Sequence, residues 1–107
     1  MQYRVKISEA ARDDIIGIKK YLLTKFKYRE TAETFSKRMK KGLAKLEFFP
    51  KANPKTGITI DGWDVLYKTC DTYLIFFVIQ DRTVVVIRVL KERMQCQPIL
   101  KRIRFIQ

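Results

Sequence analysis

The sequence predicts an α+β fold: an N-terminal strand, an αα-hairpin and then a three-stranded antiparallel meander, with the helices packed on one face of the sheet. Three observations predict it. Residues 2–7 alternate apolar and polar side chains, two amphipathic stretches of helical period follow in close succession, and three β-type apolar runs separated by short polar turns complete the pattern.

In the first element Tyr3, Val5 and Ile7 alternate with Gln2, Arg4 and Lys6, as on a half-buried strand. Ser8 then offers a hydroxyl to cap a helix. Glu9, Asp13 and Asp14 lie early in that helix and Lys19, Lys20 and Lys25 late, an order that complements its dipole. Ala11, Ile15, Ile18, Leu22 and Phe26 recur at three- and four-residue steps and form its apolar stripe. A second helix starts near Arg29, with Ala32, Phe35, Met39, Leu43 and Leu46 on one side and Lys37, Arg38, Lys40, Lys41 and Lys45 largely on the other. Pro50 stops it, because the residue before a proline avoids helical geometry. The short link between the helices makes them antiparallel neighbours.

Residues 50–62 contain Pro50, Asn53, Pro54, Gly57 and Gly62 and read as an exposed loop. Three strands follow at 63–69, 72–80 and 83–90. With two-residue turns at Cys70-Asp71 and Asp81-Arg82, one face carries Trp63, Val65, Tyr67, Leu74, Phe76, Val78, Val85, Ile87 and Val89. The opposite face carries Leu66, Tyr73, Ile75, Phe77, Ile79, Val84, Val86 and Leu90, together with Asp64, Lys68 and Arg88. A bulge would exchange the faces beyond it. The helices can cover only one face, so the other calls for the C-terminal tail, a second molecule or a partner. In the tail, Ile99, Leu100, Ile103, Phe105 and Ile106 are available for this.

At 107 residues and 47% hydrophobic, the chain suits one domain spanning 1–107 with one core. Its longest apolar run, Leu74 to Ile79, is far too short to cross a membrane. The opening residues also lack a secretory apolar region, so the expected location is the cytoplasm. Cys70 and Cys96 are in no metal-ligand spacing and are expected as reduced thiols. The formal charge is +12, and it is uneven: after Asp81, seven Lys and Arg stand against Glu92 alone. Such an excess favours nucleic acid, a nucleic-acid-bound machine or an acidic protein as partner.

The chain has no His, which excludes Ser-His-Asp and Cys-His catalysis and His-ligated metals. Asp61, Asp64 and Asp71 read as turn and edge residues, and Gly42, Gly57 and Gly62 form no phosphate-binding motif. No metal and no small-molecule cofactor are expected. What remains is cationic and aromatic: Lys68, Tyr73, Arg88, Lys91 and Arg93, on or just beyond adjacent strands near one sheet end. Arginine binds phosphate in a bidentate manner and stabilises the charge that builds during phosphodiester cleavage, and tyrosine can stack on a base or move a proton. Arg88, inside an apolar strand, could instead form a structural pair with Asp64 or Glu92.

The order of these elements resembles the RelE/ParE family of type II toxin–antitoxin toxins over nearly the whole chain. The resemblance includes the strand YRVKIS, the Ala-Ala-Arg-Asp-Asp helix start, the helix from Ala32 to Phe35, the Leu46-Glu-Phe-Phe-Pro50 stop and the final meander. The hairpin YLIFFVI…VIRVLKERM is similar to the ParE branch. Arg88-Val89-Leu90 and Arg93-Met94 match that branch's ending, while Lys91 stands where it has His and Gln95 where it has Asp. The resemblance implies a toxin neutralised by a cognate antitoxin that masks apolar surface. Given to the spare sheet face, that role falls on Leu66, Ile75, Phe77, Val84, Val86 and Leu90.

ParE-type relatives inhibit DNA gyrase and RelE-type relatives cleave mRNA in the ribosome, using Lys and Arg on middle strands. At the matching places this chain carries Val65, Tyr67 and Leu74. The leading expectation is therefore a ParE-like toxin that binds gyrase through Lys68, Arg88, Lys91 and Arg93 without chemistry of its own. The alternative is a metal-independent ribosome-dependent endoribonuclease using Arg93, Lys91, Arg88 and Tyr73. A third reading, outside the toxins, is a harmless basic nucleic-acid-binding module.

Overall fold

The computed structural model describes residues 2–26, 29–92 and 99–100. The element order is β1 (Arg4–Ile7), α1 (Glu9–Phe26), α2 (Arg29–Lys45), a 3-10 turn (Pro50–Ala52), β2 (Lys55–Ile60), β3 (Trp63–Cys70), β4 (Tyr73–Gln80) and β5 (Thr83–Lys91). The strands form one mixed sheet in the order β1-β5-β4-β3-β2. β1 joins β5 in parallel, with Arg4 opposite Thr83 and Ile7 opposite Val86, and the other neighbours are antiparallel.

Local chemistry accounts for the elements. The backbone N–H of Ala11 donates to Ser8 Oγ at 3.1 Å, which caps α1. The same hydroxyl donates to the carbonyl of Ile87 at 3.1 Å and so ties the helix start to β5. The expected helical stripes point inward. Ala11, Leu22, Ala32, Phe35, Met39 and Leu46 are buried, and Ile15, Ile18 and Leu43 pack against them. Gly42 lies where α2 comes close to the sheet; a Cβ there would sit 3.6 Å from Ile75 Cδ1 and 3.7 Å from Cys70 Sγ.

Three expectations need correction. Within the expected loop 50–62, residues Lys55–Ile60 form an edge strand against β3. Its β-branched residues Thr56, Ile58 and Ile60 alternate inward. The register slips between Lys55 and Thr59, around Gly57 at φ +86°. Thr56 Oγ1 bridges the slip, donating to the Val65 carbonyl at 2.8 Å and accepting from the Ile58 N–H at 3.0 Å.

Second, the β3–β4 turn is Asp71-Thr72, because Cys70 pairs with Tyr73. The shift relative to the expected pairing is two residues, so both faces survive it. Asp61, Asp71 and Asp81 each open a hairpin turn at positive φ (52°, 55° and 57°), a region that Asp tolerates.

Third, β5 carries a bulge: Phe77 pairs with Val86 but Phe76 with Arg88, leaving Ile87 as the extra residue. Beyond it Val89 joins the helix-side core and Leu90 the opposite one, the reverse of the unbulged register. The helix-side core takes in Leu66, Ile75, Phe77, Val84 and Val86, each 6% exposed or less. These five are covered by the chain's own helices and cannot be the bare face assigned above to an antitoxin. Leu90, 4% exposed, lies in the second core, where Val65, Phe76, Val78 and Ile87 are covered with the help of Ile99 and Leu100. The tail thus contributes to cover, as its apolar residues suggested.

Candidate target-binding groove

The cationic end of the sheet is built by the β4–β5 ladder. Tyr73 opens β4 directly opposite Lys91, the last residue of β5. Over them lie the C-terminal part of α1 and the N-terminal part of α2. Between these elements runs an open groove of about 740 Å³, lined among others by Tyr21, Lys25, Arg38, Asp71, Tyr73 and Lys91. Its walls combine the cations Lys25, Arg38 and Lys91 and the phenols of Tyr21 and Tyr73 with the carboxylates of Glu30 and Asp71.

Neighbouring groups in the groove adjust one another. Lys25 Nζ donates to Tyr21 Oη at 2.7 Å, an i,i+4 contact on α1. That hydrogen bond holds the Tyr21 phenol below the usual tyrosine range, and the charges of Lys25 and Lys91 lower it further. The same bond raises Lys25. Arg38 Nη1 pairs with Asp71 Oδ1 at 2.8 Å, joining α2 to the β3–β4 turn in an exposed ion pair of small energetic weight. Tyr73 packs edge-on against Phe35, ring centroids 5.2 Å apart. Its phenol is pushed up, first by burial and then by Tyr21 and Asp71, which disfavours it as a proton acceptor.

Arg88 is occupied elsewhere. Its Nε and Nη2 donate to Asp14 Oδ2 and Oδ1 at 2.7 and 2.8 Å, a bidentate fork, and the Val89 N–H donates to Asp14 Oδ2 at 3.0 Å. The structural partner is thus Asp14 on α1, and neither Asp64 nor Glu92. Asp64 pairs instead with Lys55, at 3.2 Å. Hydrogen bonding to Asp14 is also the first cause of the raised Arg88 pKa. Lys91 stays at the groove, beside Tyr21 and Tyr73. Lys68, on β3 opposite Ile75, lines a different groove with Lys45, Phe48 and Phe49. Arg93 lies outside the described residues.

The structure therefore gathers Tyr73, Lys91 and the Arg88 fork near one sheet end and sets Lys68 apart. The sequence reading missed Asp14, Tyr21, Lys25, Arg38 and Asp71. The i,i+4 spacing of Tyr21 and Lys25 was the one visible signal; the Asp14–Arg88 pairing spans most of the chain and leaves no local trace. Among the described residues no group of three or more His, Cys, Asp or Glu gathers to hold a metal ion, and no helix is long and apolar enough to cross a membrane.

A helical hairpin is thus laid on one face of a mixed sheet, in a strongly basic chain with an open groove at the sheet end. Residues 5–96 match the family described as the ParE toxin of the type II toxin–antitoxin system parDE, and the chain belongs to that family. Among solved structures, a chain of the chromosomal ParDE toxin–antitoxin system from P. aeruginosa superposes with a TM-score of 0.70 at 13% identity, covering 84% of this chain and 96% of that one. A chain of the RelBE2 toxin–antitoxin complex from Mycobacterium tuberculosis superposes with a TM-score of 0.57 at 17% identity, covering 85% and 99%. At these identities both likenesses speak to the fold. A comparison with curated proteins finds no match.

Proposed function

We propose that this type II toxin acts in the cytoplasm as a ParE-like inhibitor of DNA gyrase, binding its target without chemistry of its own, and that a cognate antitoxin neutralises it. The observation that carries the reading is the state of the would-be catalytic groups. Arg88 is held in a fork by Asp14, and burial raises the Tyr73 phenol away from the base form. The middle-strand places where RelE-type relatives use Lys and Arg carry Val65, Tyr67 and Leu74, and all three belong to the second apolar core. On the groove Lys25, Arg38 and Lys91 outnumber Glu30 and Asp71, and this excess, with the +12 charge of the chain, suits an acidic surface.

Toxin–antitoxin complexes among the structural neighbours support an antitoxin partner. Because the helix-side apolar residues are covered, that partner would meet the exposed outer surface of the αα-hairpin, where Ile16 and Leu23 are 45% and 48% exposed. The test is a supercoiling assay with purified gyrase beside a programmed-ribosome assay. Blocked supercoiling with intact mRNA is expected. Unimpaired supercoiling at large toxin excess, with codon-positioned cuts in the mRNA, would replace this reading with RelE-type cleavage.

A further inference from the structure

Away from the groove, the turn that follows α2 carries an exposed aromatic pair that the proposed function leaves unused. Phe48 is 53% exposed and Phe49 78%, the two most exposed large apolar side chains of the described residues. They are not on a loose loop. Their backbone is fixed by Phe48 N–H to the Lys45 carbonyl at 3.3 Å and Ala52 N–H to the Phe49 carbonyl at 3.2 Å. Pro50 is buried beneath them, and Asn53 donates to its carbonyl from both backbone N–H and side-chain Nδ2, at 3.3 and 3.1 Å. A rigid turn that turns proline inward and holds two phenyl rings in water is an arrangement that folding alone does not favour.

The surroundings specify the occupant. Phe48 and Phe49 share an open groove of about 410 Å³ with Lys45 and Lys68, and among the described residues no carboxylate lines it. Neither lysine forms an ion pair with a described residue. Flat apolar faces interleaved with uncompensated cations match a ligand that alternates flat rings with anions, and the +12 charge of the chain draws such a polyanion in. A protein partner would instead favour a wider apolar patch with a polar rim. A duplex keeps its base faces stacked away from any side chain.

We infer that Phe48 and Phe49, with Lys45 and Lys68, form a stacking platform for single-stranded nucleic acid. The phenyl rings stack on unpaired bases and the two lysines neutralise neighbouring phosphates. The site is separate from the gyrase-directed groove, and it stands or falls without the gyrase reading.

The test measures anisotropy of fluorescent twelve-nucleotide oligo-dT and oligo-U, and of a duplex of equal length, titrated with the full-length chain at several salt concentrations. Single strands are expected to bind more tightly than the duplex. Phe49→Ala should weaken single-strand binding by roughly five- to a hundredfold with the salt slope unchanged. Lys45→Gln with Lys68→Gln should instead lower the slope of log K against log salt, by about 0.7 for each phosphate that is no longer neutralised. The two oligonucleotides decide whether DNA, RNA or both are accepted. Because Phe49 is so exposed, Phe49→Ala should keep its circular dichroism spectrum and thermal midpoint. Single-strand affinity equal in the wild type and in a Phe48→Ala/Phe49→Ala variant would overturn the inference, since binding would then be diffuse attraction to a basic surface. Capture of an acidic aromatic peptide with the same phenylalanine dependence, and no such dependence for oligonucleotides, would overturn it too.

Discussion

Replacing Asp14 by alanine tests whether the fork it makes with Arg88 holds α1 to the end of β5. The substitution removes two charge-assisted hydrogen bonds, at 2.7 and 2.8 Å, and the acceptor of the Val89 N–H, at 3.0 Å. Removing one partner of a buried ion pair costs about 3–5 kcal/mol, because a charge is left without compensation. Here the side chains are 25% and 15% exposed, so water can reach part of the guanidinium and the loss falls toward the lower end. An orphaned backbone donor adds about 1–3 kcal/mol if it stays dry. We therefore expect Asp14→Ala to destabilise by roughly 3–6 kcal/mol, the upper part only if the Val89 N–H stays dry. Urea denaturation followed by circular dichroism should show a lower midpoint at unchanged slope. Asp14→Asn, which keeps an acceptor for Val89, should lose less. Asp14→Ala combined with Arg88→Met should recover part of the loss, because the stranded cation is gone. A cost below about 1 kcal/mol for Asp14→Ala, or a double variant weaker than the single, would refute the assignment of this pair as a structural clamp.

Gly17 and Gly42 lie inside helices, and neither needs to be glycine. Nothing lies within 4 Å of a Cβ at Gly17, and at Gly42 the contacts of 3.6 and 3.7 Å are ordinary, so either change to alanine should stabilise by about 0.5–1 kcal/mol in the same urea assay. Gly57→Ala should do the reverse, by about 1 kcal/mol or more, because φ there is +86°. Burial first, and Asp71 second, push the Cys70 thiol above its ordinary 9.0, so in a Cys96→Ser background iodoacetamide should modify Cys70 slowly at pH 8 until urea unfolds the chain. Folding favours the protonated forms of Cys70 and Tyr73, so their contribution is whole below the ordinary values of 9.0 and 10.0 and is lost as pH rises through the higher folded values. In a Tyr21→Phe background, which removes the opposite contribution of the lowered Tyr21, the urea midpoint should fall as pH is raised from about 8 to about 10.5, less steeply with Cys70→Val added; a rising midpoint there would contradict the directions assigned to Cys70 and Tyr73.

Where packing is local or periodic, the sequence was a sufficient guide. The stripes Ala11–Leu22 and Ala32–Leu46 point to the core because helical period leaves them no other face, and Ser8 caps α1 because its hydroxyl is the acceptor nearest the helix start. What depends on pairing between distant segments was not legible. Strand β2 hides in a segment rich in Gly and Pro, and its strand character comes from the ladder offered by β3. The parallel pairing of β1 with β5 needs the helices to have turned the chain round first. At the candidate site, Tyr73 and Lys91 could be placed together because a hairpin register connects them, whereas Asp14 and Asp71 enter through tertiary contacts with no short-range spacing.

The β5 bulge resolves a conflict written into this strand. In an unbroken ladder Phe76 would face Ile87, and Arg88 would fall opposite Ile75, which is 0% exposed beneath the helices. A guanidinium there would lose its water with no acceptor to replace it, a cost that a strand so rich in valine and isoleucine could not offset. Inserting Ile87 as an extra residue returns the core position to Val89 and turns Arg88 toward α1, where Asp14 receives it in a half-buried fork. The same carboxylate takes the Val89 N–H, which lies beyond the last β1 partner, Ile7 opposite Val86. One acidic residue therefore satisfies both the charge that the bulge redirects and the backbone donor left beyond the end of β1. Lys91 consequently ends the strand opposite Tyr73, at the mouth of the groove, in a position set by the bulged register and not by the core. The arginine thus stabilises the fold at this end of the sheet, while Lys91 lines the groove beside Tyr21 and Tyr73.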